Sequence, residues 1–174
     1  MNKEDLFKQI WDKYVTITPD AQKIKSLFES LSENVNNDHI AFRTIDDKRV
    51  NIEKVSELLL SLGYKEGGEY KFTEKKLYAK HFYHDDKNTP KVFISQLLLN
   101  EFSNSLQTTL TECIDQIGDT NPIDFMTGGR LWSKPSYETY KTLVEESEYA
   151  GWFYLYGYVA NHFTIDVNEL DKFN

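Results

Sequence analysis

The chain has 174 residues, with 20 Lys and Arg against 28 Asp and Glu, a formal net charge of −8 and 40% hydrophobic residues. These values indicate a globular protein of one domain or a tight pair of small ones. No nucleic acid partner is expected, because such sites concentrate cations and the sequence has no run rich in Lys or Arg. No apolar stretch approaches the roughly 20 residues of a membrane-spanning helix, and the N-terminus is too charged for a secretory signal, so we expect no membrane contact and a cytoplasmic location.

Two amphipathic helices are predicted within residues 1–36. Apolar residues recur at helical spacing in both segments, and Thr18-Pro19 supplies a cap and a first-turn proline for the second. The apolar positions are Leu6, Ile10, Trp11 and Tyr14 in the first helix, and Ala21, Ile24, Leu27, Phe28 and Leu31 in the second.

Residues 37–98 are predicted to form a β-α-β-β-β unit. An extended run begins at Asp38, and Asn51 then caps a helix that Gly63 ends. Three further strands follow, at Tyr70–Thr73, Leu77–His84 and Lys91–Gln96.

Residues 99–152 are predicted to form a helical connection, and residues 153–174 the start of a second module. Leu155–Val167 is predicted to be a long strand, after which Asn168 begins another helix. This strand echoes the first one, since both contain a histidine followed by Thr-Ile-Asp. We therefore expect one complete module and an incomplete second one, with further strands after Asn174.

Two histidines are candidate metal ligands. His39 and His162 lie at matching places in the two echoing strands, and two imidazoles plus one carboxylate form the ligand set of non-haem iron oxygenases. Their spacing alone favours the alternative that both are core histidines with satisfied hydrogen bonds, since no HxxxH or HxH spacing appears. Candidate third ligands in the chain are Asp166, Glu101 and Glu69, none with diagnostic spacing.

The first strand carries a candidate substrate-binding residue. His39 and Arg43 share one side of an extended strand, about 13 Å apart, which suits two ends of one small substrate. Arg43 has an alternative role as the ion-pair partner of Asp38 or Asp46.

Three other reactive side chains are expected to be structural. His81 and His84 are interpreted as solvated residues on opposite faces of a strand. Cys113 occupies an apolar helical position and is interpreted as a packing residue.

Three segments resemble the 2-oxoadipate dioxygenase/decarboxylase family. They are Asp38–Thr44 (DHIAFRT), Phe93–Leu98 (FISQLL) and Tyr156–Thr164, with its Gly-Tyr and Asn-His-Phe-Thr elements. The resemblance runs from about residue 5 to the end. It implies an α+β fold built from β-α-β-β-β modules of vicinal-oxygen-chelate (glyoxalase-like) type, in agreement with the element order found above.

The resemblance also implies an activity and its site. His39 and His162 match the family's iron-binding histidines, and Arg43 matches the arginine that recognises the substrate carboxylate. The implied cofactor is Fe(2+), and the implied partners are O2 and a 2-oxo acid such as 2-oxoadipate, converted to 2-hydroxyglutarate and CO2. The family's iron-binding glutamate lies well after the second histidine, beyond Asn174, so residues 1–174 alone are expected to be inactive.

Two alternative functions remain open. One is a divalent-metal isomerase or hydrolase of glyoxalase type, because a fold does not fix its chemistry. The other is a non-catalytic module that binds a small acidic ligand.

Overall fold

The computed structural model describes residues 1–31, 35–167 and 170 and has an α+β fold, as predicted. The helices are α1 (Lys3–Ile17), α2 (Pro19–Leu31), α3 (Ile52–Ser61), α4 (Asn104–Ile114), α5 (Asp124–Thr127), α6 (Tyr137–Glu146) and α7 (Glu148–Tyr156). The strands are β1 (Asn37–Ile45), β2 (Lys65–Phe72), β3 (Leu77–Tyr83), β4 (Lys91–Leu97) and β5 (His162–Ile165). A short 3₁₀ turn, Leu99–Glu101, follows β4.

The strands form one mixed sheet in the order β2-β3-β4-β1-β5. β1 and β4 are parallel, and the other neighbours are antiparallel. Parallel neighbours need a crossover connection, and the segment from α3 to β3 provides it. The predicted β-α-β-β-β order is therefore confirmed.

The two faces of β1 differ in burial. Ile40, Phe42 and Thr44 are fully buried on the face that packs toward α3. His39 and Arg43 point to the opposite face and are only partly buried. Because side chains alternate along a strand, His39 and Arg43 are available for a site while their neighbours in the strand hold the core. We call the surface that carries His39 and Arg43 the site face of the sheet.

The N-terminal helices pack unequally. Leu6 and Ile10 of α1 are fully buried, as their spacing predicts. No residue of α2 among those described is buried, and Ile24 and Leu27 are 54% and 60% exposed. The prediction of a second helix is confirmed, but its apolar residues do not contribute to the core.

The predicted strand Leu155–Val167 is wrong over its first half. Ser147 caps α7, which continues to Tyr156 and buries Phe153 and Tyr154 among the core side chains. Gly157 then adopts a positive φ of +63° and ends the helix, and only four residues form β5. The aromatic run at the end of α7 is apolar throughout because the helix is buried on several sides. An apolar run of this kind also resembles a buried strand in sequence.

This helix also crosses the predicted boundary between residues 152 and 153. β5 pairs with β1 at the edge of the first sheet, so the segment that contains His162 extends that sheet. The predicted helix start at Asn168 lies outside the described residues. No helix in the described part of the chain is long and apolar enough to cross a membrane.

Candidate metal centre

His39 and His162 meet on the site face, on the neighbouring strands β1 and β5. His162 is paired with Ala41 in the register between β1 and β5, so its ring lies beside that of His39. The two Nε2 atoms are 3.3 Å apart, and the ring centroids are 5.3 Å apart. The sheet therefore brings together two imidazoles that are 123 residues apart in the sequence.

Each imidazole is oriented by polar groups at its other nitrogen. The carboxylate of Asp38 lies 2.7 Å from His39 Nδ1, and the hydroxyl of Thr164 lies 3.0 Å from the same atom. The side-chain amide of Asn161 lies 2.8 Å from His162 Nδ1. Such outer partners fix ring orientation in metal sites, and here they leave both Nε2 atoms directed at one point.

The electrostatic environment favours a neutral His162 and an ionised Asp38. Burial, together with the proximity of His39 and Arg43, lowers the pKa of His162. The hydrogen bond to His39, assisted by Lys91, lowers the pKa of Asp38 despite its partial burial. A neutral imidazole can coordinate a metal ion whereas an imidazolium cannot, so this environment is compatible with a ligand role.

The spacing of the two nitrogens fits a metal ion. Two imidazole nitrogens bound at about 2.1 Å to one ion, at an angle of roughly 90–105°, lie about 3.0–3.3 Å from each other. The observed separation of 3.3 Å is at the upper end of that range. Imidazoles suit Fe, Zn, Cu and Ni, so the donor set fits Fe(2+) without selecting it.

The third ligand is not among the described side chains. Within residues 1–31, 35–167 and 170, no three His, Cys, Asp or Glu residues are grouped so that they could hold a metal. Glu69 lies on β2 opposite Lys80, which forms ion pairs on the α3 side of the sheet. Glu101 ends the 3₁₀ turn after β4.

Arg43 lies on the site face between two aromatic rings. Its guanidinium carbon is 4.7 Å from the ring centroid of Tyr149 and 4.7 Å from that of Trp152, both on α7. The Tyr149 hydroxyl donates to the backbone oxygen of Ser95 at 2.6 Å and accepts from the backbone N–H of Thr44 at 3.0 Å, which fixes its ring beneath the arginine. The stack holds the guanidinium plane in place, as cation–π contacts do.

Arg43 forms no ion pair with the described acidic side chains. Asp38 instead bonds to His39 and Lys91, and Asp46 accepts a hydrogen bond from the backbone N–H of Leu99. The alternative in which Arg43 pairs with Asp38 or Asp46 is therefore wrong. Burial lowers the pKa of Arg43. The residue lines a cavity of about 330 Å³, which neither histidine lines. A partly buried guanidinium without an ion pair to the described acidic side chains is suited to bind a carboxylate.

The rings of one residue from each strand form a row across the site face. Successive centroids in the row are 5.3, 5.1, 5.4 and 5.8 Å apart. Its members are His162, His39, Phe93, His81 and Tyr70.

The position of His81 in this row differs from the sequence interpretation. Its ring is stacked on Phe93 and bonded to the Tyr70 hydroxyl, and it is partly buried rather than solvated. The alternation of Leu77, Ala79 and His81 on one face of β3 is the signal that could have placed it there.

Comparison with known proteins agrees with these features. The family model for 2-oxoadipate dioxygenase/decarboxylase matches residues 4–127. The chain belongs to this family. It is 32% identical to the 2-oxoadipate dioxygenase/decarboxylase of Oryza sativa over 92% of its length, and 30% identical to that of Arabidopsis thaliana over 90%. Both plant proteins carry a chloroplastic description.

Two solved structures superpose closely on this chain. A protein from Shewanella frigidimarina, provisionally named a hydrolase, is 41% identical, with a TM-score of 0.89 and coverage of 98% of this chain and 67% of that one. The hydroxyglutarate synthase of Oryza sativa, in complex with 2-oxoadipate, is 31% identical, with a TM-score of 0.87 and coverage of 95% and 58%.

A more distant structure confirms the glyoxalase-like fold. A protein of Ralstonia eutropha, provisionally placed in the glyoxalase superfamily, has a TM-score of 0.70 at 19% identity, covering 92% of this chain and 60% of that one. The chain spans 50% and 46% of the length of the two plant members of the 2-oxoadipate dioxygenase/decarboxylase family.

Proposed function

We propose that this chain provides two metal ligands and the substrate arginine of an Fe(2+)-dependent dioxygenase that decarboxylates a 2-oxo acid. The observation that carries the proposal is the pair of imidazoles, His39 and His162, whose Nε2 atoms converge to 3.3 Å on the same sheet face as the guanidinium of Arg43. The preferred substrate is 2-oxoadipate, the ligand bound by the structurally similar rice protein.

The reaction balances with dioxygen as the only co-substrate. 2-Oxoadipate and O2 give 2-hydroxyglutarate and CO2. The lost carboxyl group leaves as CO2 with its own two oxygen atoms, so both atoms of O2 remain in the shortened acid, one in the new carboxylate and one in the hydroxyl group. Bound Fe(2+) would supply the dioxygen chemistry, which protein side chains cannot perform unaided. A third ligand, a carboxylate outside the described residues, completes the proposed site.

In this proposal the residues of this chain bind the substrate and orient the metal ligands. Arg43 offers a planar pair of N–H donors to one substrate carboxylate, while the rings of Tyr149 and Trp152 prevent the guanidinium from turning. Asp38 and Thr164 hold the ring of His39 so that Nε2 faces the metal position. The ring of Phe93 packs against that of His39 in a T-shaped arrangement, with the centroids 5.1 Å apart.

The proposal is tested on the complete reading frame that contains this sequence. The protein is loaded anaerobically with Fe(2+), mixed with 2-oxoadipate and O2, and assayed for oxygen consumption, CO2 and 2-hydroxyglutarate. We expect the three quantities to change in equal amounts. Oxygen-independent conversion with Zn²⁺ would favour the isomerase or hydrolase alternative, and metal-free ligand binding without turnover would favour the binding module.

Matched variants distinguish the loss of a site residue from a general effect on folding. His39→Ala should abolish turnover, whereas His84→Ala removes a partly buried histidine that packs against Tyr64 and should leave turnover unchanged. Arg43→Lys should raise KM, whereas Arg49→Lys alters an exposed arginine that pairs with Asp47. Turnover by residues 1–174 alone would show that they contain the third ligand.

A further inference from the structure

The cavity beside Arg43 lies between the turn that joins β2 to β3 and the beginning of α7. We call it the Arg43 cavity. Its volume of about 330 Å³ is at the lower end of the range of about 300–1,000 Å³ for small-molecule sites. Neither histidine of the candidate metal centre lines it. Its charged lining residues are Arg43, Lys75, Lys76, Glu74, Glu146 and Glu148.

Lys76 has a backbone conformation that is unusual for a lysine. Its φ is +52°, and it is the one residue other than glycine with a positive φ in the described part of the chain. Glycine and asparagine adopt this left-handed conformation at a lower cost than lysine does. Strained residues of this kind cluster at ligand-binding sites, where the side chain has a function that offsets the strain. The side chain of Lys76 is therefore a candidate for a binding role.

The ammonium group of Lys76 is held at the cavity without an acidic partner. Its Nζ lies 2.5 Å from the backbone oxygen of Glu101 and 4.3 Å from the ring centroid of Phe102. It forms no ion pair with the acidic side chains that the structure describes. Because the residue is partly buried, water screens its charge less than that of a fully exposed lysine.

The acidic residues of the lining form no ion pair with Arg43 or Lys76 within the described residues. Glu146 accepts hydrogen bonds from the backbone N–H and the hydroxyl of Ser103, at 2.7 and 2.6 Å. The other two acidic residues of the lining are exposed, so solvent screens their charges. Two partly buried cations, Arg43 and Lys76, thus border one cavity without a carboxylate that bridges them.

We propose that the Arg43 cavity binds a short dicarboxylate, with one carboxylate on the guanidinium of Arg43 and the other on the ammonium of Lys76. The planar guanidinium matches a carboxylate with two parallel hydrogen bonds, and the ammonium binds the second carboxylate as a point charge. A ligand with one charged end satisfies only one of the two cations. The cavity therefore selects for two carboxylates on a short chain.

Occupation of the Arg43 cavity inhibits the reaction, and this part of the inference rests on the proposed function. A dicarboxylate held between Arg43 and Lys76 does not reach the histidine pair, because neither histidine lines the cavity. Its carboxylate on Arg43 repels a substrate carboxylate at the same guanidinium, since like charges repel at short distance. The ligand thus competes with the substrate without occupying the metal position. The proposed product, 2-hydroxyglutarate, belongs to this chemical class, so its accumulation slows turnover.

Calorimetry with glutarate tests the site in the metal-free protein from the complete reading frame. Glutarate has two carboxylates, and pentanoate is the matched acid with one. We expect glutarate to bind about tenfold more tightly than pentanoate, the difference made by one charge-assisted hydrogen bond. Equal affinity for the two acids would overturn the proposal.

A substitution at Lys76 tests its role in the same measurement. Lys76→Asn removes the charge while asparagine accepts the left-handed conformation, so the variant is expected to fold. It should weaken glutarate binding about tenfold and leave pentanoate binding unchanged. Lys48→Asn is the control, because it removes the same charge from an exposed turn outside the cavity. Equal effects of the two substitutions on glutarate affinity would contradict the role of Lys76.

Steady-state kinetics test the inhibition. Glutarate should compete with 2-oxoadipate, and the ratio of its inhibition constant to the KM for 2-oxoadipate should rise about tenfold in Lys76→Asn. An unchanged ratio would show that substrate and glutarate use Lys76 alike, which overturns a cavity separate from the substrate site.

The outcomes distinguish this inference from the proposed function. Glutarate binding that depends on Lys76, in a protein without dioxygenase turnover, supports the dicarboxylate site and overturns the proposed function. Turnover of 2-oxoadipate in a protein that does not bind glutarate overturns the dicarboxylate site alone. Lys76-dependent glutarate binding together with competitive inhibition supports both.

Discussion

Gly157 makes the turn that delivers His162 to the sheet, and we predict that Gly157→Ala is strongly destabilising. The residue has φ +63° and ψ −128°, a backbone conformation that residues with a side chain rarely adopt. A Cβ atom would lie 2.5 Å from the oxygen of Gly129 and 2.8 Å from Cα of Arg130. Both are backbone atoms, so the chain itself would have to move.

The expected loss follows from two contributions. Strained backbone costs roughly 1–3 kcal/mol. Moving the 129–130 segment also disturbs the hydrogen bonds between Gly129 and Tyr158, which are 3.0 and 2.8 Å long and contribute about 0.5–1.5 kcal/mol each. The free energy of unfolding should fall by about 2–6 kcal/mol. For a chain of this size the melting temperature should fall by roughly 5–20 °C.

Urea and thermal unfolding measure this loss, with Gly118→Ala as the control. No heavy atom lies within 4 Å of a Cβ built at Gly118, so its substitution should change stability by no more than about 0.5 kcal/mol. Gly157→Ala should also weaken Zn²⁺ binding, because β5 follows the altered turn. A stability loss below about 1 kcal/mol would refute the steric argument.

Three further predictions concern other parts of the structure. Trp152→Leu removes one side of the Arg43 stack, worth about 1 kcal/mol, so KM for the 2-oxo acid should rise about fivefold with little change in kcat; an unchanged KM would contradict this. Burial raises the pKa of Cys113 to about 12, so its alkylation at pH 8 should be about a thousandfold slower than that of a free thiol, unless the protein is unfolded. Burial also raises the pKa of Asp46, so the unfolded chain ionises first and the stability of the natural protein relative to Asp46→Asn should fall as pH rises above about 4, the usual pKa of an aspartate; a constant difference in urea unfolding would count against this.

Much of the first module could be predicted because its signals are local. Asn51 accepts a hydrogen bond from the Lys54 N–H at the start of α3, as its residue type indicates. The alternation of β1 places His39 and Arg43 on the partly buried face. β2 begins at Lys65, earlier than predicted. Its first residues are polar and exposed, so their sequence gives no strand signal, and pairing with β3 holds them extended.

The remaining features depend on contacts between distant segments. Because α7 is buried on several sides, its sequence lacks the helical periodicity that would distinguish it from a strand. The helix ends at Gly157, which has a positive φ. The stacking of Arg43 on Tyr149 and Trp152 joins β1 to α7 and has no signature in either segment. The ligand roles of the two histidines stay predictions, although their convergence is a property of the fold.

The pairing of β1 with β5 has a consequence for how the protein folds. The four-residue strand β5 lies at the edge of the sheet and contacts a strand from near the start of the chain. Closing a loop costs about 2 kcal/mol more in chain entropy for each tenfold increase in length, so this strand should dock after the hairpin of β2 and β3 has formed. The imidazole pair is then assembled in the last step of folding, and amide protons of β5 should exchange with solvent before those of β1 and β4.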